Sequence, residues 1–433
     1  MKKNQFITDT VETTIFSTMG KALGFLIPFF LSVWFGITQN MDAFFFIYSI
    51  VFLLSVIFSA AMESLIVPYI KEIDTKKGDI SDFVGRILGN LSIIILLLIL
   101  ILAFIIPFIL RILTNFDKDT ISLIHILFIE ISPLILLLVW TSIFSGLLNA
   151  YKKFAFPAVS PAFRAIVTLI IIYLFKNRYG VHSIAWGYMA GEVIRMFILI
   201  IVVMKSNLLR IRLKVSFDKK TLGFFKTAIY SMISLVAIDT NVIIDKTMAS
   251  WLEPGSVSIL HYSERLYAIS VTFITTGILI TILSYWSDKY YANKSIKTLS
   301  EDLKKISKFI LVFSISLTIV LVLNYKIITK LALARGEFPL NKLHLVGKSW
   351  LFYQLGLTPL VLSRVYVRAF LVLKKTRVMM NCAIYTVIIN LALDYILMRV
   401  FGVSGIPLAS TFVSFFALLY FKQIFKREIV SYK

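Results

Sequence analysis

Six basic side chains lie inside long apolar stretches of this sequence, and charge is costly in such surroundings: Lys21, Arg164, Arg195, Arg265, Arg364 and Arg368. A charge facing lipid at the centre of a membrane span costs at least about 2.5 to 3.5 kcal/mol. We therefore expect these side chains to face a water-filled cavity or an opposite charge, or to reach the lipid headgroups from helix ends, as predicted for Arg195, Arg364 and Arg368. Lys21, Arg164 and Arg265 then predict a cationic cavity suited to phosphate or pyrophosphate, which the forked donors of arginine bind well.

Acidic side chains form a second set within the apolar stretches: Asp42, Glu63, Glu130, Glu192, Asp239, Asp245, Glu264 and Asp394. Asn390 and Asp394 are four residues apart and so share one face of a helix, and Asp239 is predicted at a comparable depth in another helix. Two carboxylates and an amide form an oxygen-rich site suited to a hard cation such as sodium. An interhelical hydrogen-bond network with a protonated aspartate is the alternative, and we weigh the two equally.

The elements that position these residues are membrane-spanning helices. The 433 residues are 59% hydrophobic and only 16% charged, whereas soluble domains carry roughly 25% charged residues. Apolar segments of about 20 residues, the length that crosses a hydrocarbon core, recur from residue 17 almost to the last residue. We therefore predict an all-α polytopic membrane protein with about twelve transmembrane helices.

The basic residues also predict how the helices are oriented. The net charge is +22, and the positive residues concentrate at both ends and in alternate loops, including Lys205–Lys226 and Lys289–Lys308. By the positive-inside rule, both termini are expected in the cytoplasm, with the chain in the inner membrane. The basic loops would then face anionic headgroups, so the charge does not indicate nucleic-acid binding. The first 18 residues lack the pattern of a cleaved signal peptide.

The sequence repeats itself weakly, since residues 152–184 resemble residues 374–406 without a gap. This similarity predicts two six-helix lobes, 1–213 and 214–433, related by a pseudo-two-fold axis along the membrane normal, with the substrate path between them. Chance similarity between two isoleucine-rich helix pairs is the alternative.

The residue types that serve catalysis or metal binding do not form recognisable patterns. Cys382 is the single cysteine, and the four histidines show no metal-ligand spacing. The sequence contains no glycine-rich nucleotide loop and no nucleophile elbow. We therefore predict a transporter rather than an enzyme, without a cofactor, and with sodium or protons as candidate coupling ions.

Several strings match the motifs of one membrane protein family. Leu252–Tyr267, which reads LEPGSVSILHYSERLY, resembles the start of helix eight in the MurJ/MviN lipid II flippases. The segment Gly336–Leu373 and the later strings INLALD and FGVSGIPLAS resemble the same family, as do ALGF at 22–25 and MDAFFFIYSI at 41–50. The resemblance extends over nearly the whole chain, in the family's order and spacing.

This resemblance implies a flippase of the multidrug/oligosaccharidyl-lipid/polysaccharide exporter superfamily. Such a protein carries lipid II, or a related undecaprenyl-pyrophosphate-linked saccharide, from the inner to the outer leaflet by alternating access. The residues that match the family motifs are Lys21, Asp42 and Arg265, and with Arg164 and Glu264 they are expected to line the substrate site. The expected partners are the lipid-linked saccharide, the bilayer and proteins of cell-envelope biosynthesis.

Four positions depart from the family pattern. The family's second helix-one arginine and the acid after it correspond to Ile27 and Pro28, and an arginine pair of helix two corresponds to Ser55 and Val56. These departures predict altered contacts with the substrate headgroup. A drug or organic-cation antiporter of the same superfamily is one alternative, although it would favour acids in its main cavity. A non-transporting scaffold that recruits cell-wall enzymes through its basic loops is the other.

Overall fold

The computed structural model describes residues 22–75, 78–210, 212–216, 218–239, 241–275, 282, 285–286, 290, 295–373 and 375–431. By their internal contacts these residues form two compact units. The first unit contains residues 22–35 and 39–239, and the second contains residues 36–38 and the described residues from 241 onward.

The first unit is built from eight helices. They are α1 Ala22–Phe35, α2 Gln39–Thr75, α3 Ile80–Leu113, α4 Lys118–Ile131, α5 Pro133–Ala150, α6 Ala155–Tyr179, α7 His182–Lys205 and α8 Lys219–Asp239. Asp79 and Asp117 accept hydrogen bonds from the backbone amides of Asp82 and Thr120, and so cap the first turns of α3 and α4.

The second unit is also helical throughout its described residues. Its helices are α9 Asn241–Ala249, α10 Ser256–Thr275, α11 Ile296–Leu323, α12 Tyr325–Leu333, α13 Leu343–Leu355, α14 Leu357–Val372, α15 Thr376–Phe401 and α16 Gly405–Ser431. Two short 3₁₀ turns, Leu340–Lys342 and Gly402–Ser404, precede α13 and α16.

The helices have the length and surface of a membrane protein. Among the described residues, seven helical segments are long and apolar enough to cross a membrane, or eight if the pair α13 and α14, bent by 41°, is one span. Large apolar side chains point outward, such as Phe104 on α3, which is 77% exposed. The all-α membrane fold is thus confirmed, while the count of twelve spans and the lobe boundary at residues 213 and 214 stay predictions.

One helix boundary differs from the one that hydropathy alone predicts. The span expected to begin near residue 306 begins at Ile296, because Ser295 accepts a hydrogen bond from the amide of Thr298 and caps the helix. Leu299 and Leu303 are buried on the inner face of this first part of α11, so its charged residues form only the outer face.

In the segment that connects α7 to α8, the described residues 212–216 are held against α3. Gly85 and Gly89 form a groove on α3 in which the segment's backbone lies so close that added Cβ atoms would be 1.9 Å from the oxygen of Arg212 and 2.2 Å from that of Lys214. The amide of Lys214 donates to the oxygen of Gly85 at 3.2 Å. Only glycine permits this approach of backbone to helix.

Salt bridges also hold this connecting segment against α3. Asp82 pairs with Arg86 and with Lys214, and Arg86 pairs with Asp218 at 2.7 Å. Asp218 also accepts the amide hydrogen of Thr221 at 2.8 Å and so caps α8. Hydrogen bonds from Thr221, together with the Arg86 guanidinium, hold the pKa of the Asp218 carboxyl below its ordinary value.

Helix α8 then packs on the first unit through aromatic rings. The ring of Phe224 meets those of Tyr69 on α2 and Phe83 on α3 edge-on, with centroids 5.2 and 5.9 Å away. The connecting segment and this aromatic cluster explain why the first unit extends to Asp239.

We expect Gly85→Ala to loosen the connecting segment, because the new methyl group would overlap the oxygen of Arg212. Forcing extra volume into such a packed contact costs about 1 to 3 kcal/mol, so the apparent melting temperature in detergent should fall and trypsin should cleave at Arg212 or Lys214 sooner. Gly24→Ala is the matched control, since nothing lies within 4 Å of its added Cβ. Equal melting and cleavage of the two variants would contradict this view of the groove.

Candidate functional site

A buried cluster of basic side chains lies where α9 and α10 pack in the second unit. Lys246 on α9 is 2% exposed, and its Nζ is 3.2 Å from Nδ1 of His261 on α10. Arg265, one helical turn after His261, places its Nε 3.4 Å from the other ring nitrogen, Nε2. Two cationic heads thus flank a single imidazole ring inside the protein.

The local sequence explains how these side chains meet. His261 and Arg265 are four residues apart, so both lie on one face of α10. Gly255, with φ of +97°, turns the chain between α9 and α10, a conformation that suits glycine. Glu264 is also on α10, and its Oε2 lies 3.8 Å from Nζ of Lys246, so one carboxylate balances part of the positive charge.

Carboxylates and an amide form a second cluster in the same unit. The Nδ2 of Asn390 donates to Asp245 Oδ1 and to Asp394 Oδ2, each at 2.7 Å. Asn390 and Asp394 are buried on α15, and Asp245 comes directly before Lys246 on α9. The remaining oxygen of Asp394, Oδ1, is buried and has no hydrogen-bond partner. An orphaned carboxylate oxygen beside a second carboxylate fits a small cation or a proton.

A third charged cluster lies in the first unit, between α6 and α7. The fully buried Glu192 meets Arg164 at 3.5 Å and Arg195 at 3.3 Å, one carboxylate oxygen to each guanidinium. Arg195 Nε also donates to Ser160 Oγ at 3.0 Å. Gly191 permits this packing, because an added Cβ would lie 2.6 Å from the oxygen of Arg164. Arg195 therefore turns inward, and the expectation that it reaches the headgroups is wrong.

Comparisons with known proteins decide between the classes of function that this geometry permits. A family model described as "Lipid II flippase MurJ" matches residues 31–433. The chain belongs to the MurJ family. The resemblance inferred from the motifs is thereby confirmed, and so is the flippase class of the chain.

Individual relatives agree with this family. The protein named "Probable lipid II flippase MurJ" of Buchnera aphidicola is 24% identical over 437 residues, 97% of this chain and 84% of that relative. A solved structure of lipid II flippase MurJ in an inward closed conformation is 24% identical, has a TM-score of 0.82 and covers 97% of this chain and 87% of its own.

The same fold also occurs outside the MurJ family. An inward-facing multidrug resistance MATE family transporter of the MOP superfamily matches with a TM-score of 0.81 at 11% identity, over 96% of this chain and 98% of its own. At that identity the likeness shows the fold alone. The MurJ family itself is one of flippases, which agrees with transport rather than with an enzyme.

The structure brings together only part of the predicted site. Arg265 and Glu264 join the cluster of α9 and α10, while Arg164 pairs with Glu192 in the other unit. Asp42 is buried in the first turn of α2. Lys21 lies outside the described residues. Asn390 and Asp394 are joined, and their described partner is Asp245; Asp239 ends α8, and its side chain lies outside the description.

Sequence reasoning missed Lys246 and His261. Hydropathy placed Lys246 in a loop at the end of a long span, although α9 carries it into the interior. Lys246 could have been recognised as a buried residue from its neighbour Asp245, because the helix that carries both residues continues to Ala249. Among the described residues, no three His, Cys, Asp or Glu side chains are grouped to hold a metal.

Ile27 and Ser55, two of the positions that depart from the MurJ motifs, are buried in the interior. Ile27 is 2% exposed, and the hydroxyl of the buried Ser55 donates to the oxygen of Val51 at 2.7 Å. These two positions of the first unit therefore offer no charge to a ligand.

We expect Glu192→Gln to destabilise the first unit, because Arg164 and Arg195 would lose their shared negative charge. Breaking a buried ion pair costs about 3 to 5 kcal/mol, reduced here because Arg164 is 22% exposed. Thermal unfolding in detergent measures the effect, with Glu253→Gln in an exposed turn as the control. If Glu192→Gln melts at the same temperature as the parent, another group must balance the positive charge of the two arginines.

Proposed function

We propose that this chain carries lipid II, or a related undecaprenyl-pyrophosphate-linked saccharide, from the inner to the outer leaflet by alternating access. The observation that supports this cargo is the cationic cluster of the buried Lys246 and His261 with the half-buried Arg265 in a protein of the MurJ family. A pyrophosphate is a doubly charged group of acceptors, and buried ammonium and guanidinium groups are its strongest side-chain donors.

Arg265 is proposed to bind the pyrophosphate directly through its forked donors, with Glu264 balancing the charge of the empty site. Lys21 and Arg164 would add positive charge from the first half of the chain, and Asp42 would order its share of the site. Because Arg164 is 22% exposed, it can reach a ligand while it stays beside Glu192.

The cluster of Asp245, Asn390 and Asp394 is proposed to couple transport to a cation. Its acceptor-rich composition fits sodium or a proton, and Asp239 stays a further candidate ligand. Occupation by a cation would change the charge next to Lys246 and so favour the return of the empty carrier. This coupling is independent of which glycan the lipid carries.

An organic-cation antiporter would need net negative charge where its cargo binds. The cluster of Lys246, His261 and Arg265 presents two cations to a ligand, with the carboxylate of Glu264 3.8 Å from Lys246 Nζ, an arrangement that favours an anionic cargo over a cationic one. We further propose that the chain lies in the cytoplasmic membrane with both termini inside, changes no covalent bond of its cargo, and meets cell-envelope biosynthesis proteins through its basic loops.

Removing the Arg265 side chain should strongly reduce transport while leaving the protein in the membrane. In bacteria depleted of their own lipid II flippase, the parent chain should restore growth and outer-leaflet lipid II, and Arg265→Ala should lower flipping at least about tenfold, because it removes a charge-assisted contact. Arg399→Ala is the control, since this exposed arginine stacks on Tyr395 at 4.1 Å from the ring centroid.

The outcomes of this experiment test the identity of the cargo and the role of Arg265 separately. If the parent restores growth and Arg265→Ala does so equally well, Arg265 does not bind the pyrophosphate. If a well-expressed parent fails to restore growth, lipid II is not the cargo, and flipping of other lipid-linked saccharides should be measured in proteoliposomes.

Replacing Asp394 should remove the effect of the coupling cation. If sodium or a proton binds beside Asp245 and Asn390, flipping in proteoliposomes should respond to a gradient of that ion by at least about fivefold, as coupled sites commonly do. Asp394→Asn should lose this response, and Asp119→Asn, at the exposed start of α4, should keep it. Flipping that ignores sodium, protons and membrane potential in the parent would refute the coupling.

A further inference from the structure

The segment that connects α7 to α8 presents apolar and basic side chains outward in alternation. Leu213 and Val215 are 55% and 61% exposed, although the backbone of the segment is held against α3. Arg212 and Lys214, which alternate with them in the chain, are exposed as well. Contact with α3 therefore uses the backbone of the segment and leaves both types of side chain available to a partner.

Helix α8 adds a stripe of the same composition. Phe224 is buried against the first unit, whereas Lys219, Leu222, Lys226 and Ile229 are exposed. These four residues are spaced by three or four positions, so they share one face of the helix. We call them the outer stripe of α8. Basic and apolar residues alternate along it, as they do in the connecting segment.

The connecting segment ends beside the part of α3 that faces lipid. The Nδ2 of Asn90 donates to the backbone oxygen of Ser216 at 2.8 Å. Ile93, which begins a series of exposed apolar residues on α3, comes three residues later, a rise of about 4.5 Å. Leu213 and Val215 thus continue an apolar surface that the bilayer covers, at the level where headgroups meet acyl chains.

Most of the positive charge on this surface is not balanced within the protein. Asp82 and Asp218 balance Arg86 and Lys214 in the salt-bridge network at the start of α3. Four further basic residues form no ion pair within the described part of the chain: Arg210, Arg212, Lys219 and Lys226. Exposed cations interleaved with apolar side chains complement an anionic headgroup and the acyl chains attached to it.

We propose that residues 210 and 212–216, with the outer stripe of α8, bind an anionic glycerophospholipid such as phosphatidylglycerol. In the proposed orientation of the chain, this lipid belongs to the cytoplasmic leaflet. Arg212 and Lys219 bind its phosphate, and Leu213 and Leu222 contact its acyl chains. The inference goes beyond the proposed transport function, because this lipid is held at the surface of the first unit and is not carried.

The depth of the outer stripe favours a lipid over an acidic segment of another protein. Ile229 lies ten residues after Lys219, which is about 15 Å along the helix. With Lys219 among the headgroups, Ile229 lies inside the hydrocarbon core, which is about 30 Å thick. The long side chain of Lys226 reaches back toward the phosphates. An acidic peptide in the cytoplasm could meet the cations but not the apolar residues at this depth.

Fluorescence quenching by lipids tests the site on the full chain in nanodiscs. A fluorophore is attached at Leu213→Cys, with Cys382→Ser to remove the native thiol, and either spin-labelled phosphatidylglycerol or spin-labelled phosphatidylcholine is titrated into the bilayer. Phosphatidylglycerol should bind at least about fivefold more tightly, judged by the mole fraction that gives half-maximal quenching, because one basic residue near an anionic surface contributes roughly that factor. A fluorophore at Leu97→Cys, exposed farther along α3, should be quenched equally by both lipids.

Charge variants test whether these basic residues produce the preference. Arg212→Gln combined with Lys219→Gln should remove most of it, and both side chains are exposed, so the fold should survive. Lys304→Gln combined with Lys305→Gln removes an equal charge from exposed positions on α11 and should leave it unchanged. In the parent, added salt should weaken the preference, because salt screens exposed charges. This last measurement needs no charge variant.

Each contrary result has a distinct meaning. Equal quenching by the two lipids at Leu213→Cys would refute an anionic-lipid site even though the segment touches the bilayer. Equal loss of preference in the two double variants would show that total charge, and not this surface, attracts the lipid. If neither lipid quenches the fluorophore but soluble polyglutamate shifts its emission, the surface binds acidic protein instead. Flipping of the cargo is measured separately, so none of these results decides the transport proposal.

Discussion

The pairing of buried charges is the constraint on which this structure depends. The hydrocarbon core of a membrane offers no water to a polar group, so each ionised side chain within the helices needs a partner from the protein. The chain meets this demand locally: Glu192 serves two arginines across α6 and α7, and Asn390 bridges two aspartates. Helix packing, including the close approach at Gly191, follows from bringing these partners together.

The cluster around His261 is built differently from the other two. Glu192 separates two cations with negative charge, whereas His261 separates Lys246 from Arg265 with a neutral ring. The two cations beside one ring make the second unit the better candidate for contact with an anionic cargo, while Ile27 and Ser55 contribute only packing in the first unit.

Much of the fold was predictable because bilayer thickness and charge asymmetry act directly on sequence. Apolar runs indicated the helices, and the string from Leu252 to Tyr267 indicated the family before any contact was known. Hydropathy could not locate the early start of α11 at Ile296, since it depends on a capping hydrogen bond and on packing. The motif indicated Arg265, but Lys246 required knowing that α9 turns its side chain toward α10. Asp245 was recognised as a buried acid, and its bond to Asn390 depends on two helices 145 residues apart in sequence.

The groove at Gly85 and Gly89 also limits where residues can be inserted into the chain. A segment between two halves of a transporter is usually where extra residues are tolerated best, because loops lie on the surface. Here the backbone of Arg212 and Lys214 is fitted against a helix, and Asp218 fixes the start of the next one. We therefore expect the chain to tolerate inserted domains, affinity tags or division into two separately expressed polypeptides better at the α6–α7 turn, near the exposed Gly180, than in the segment that joins α7 to α8.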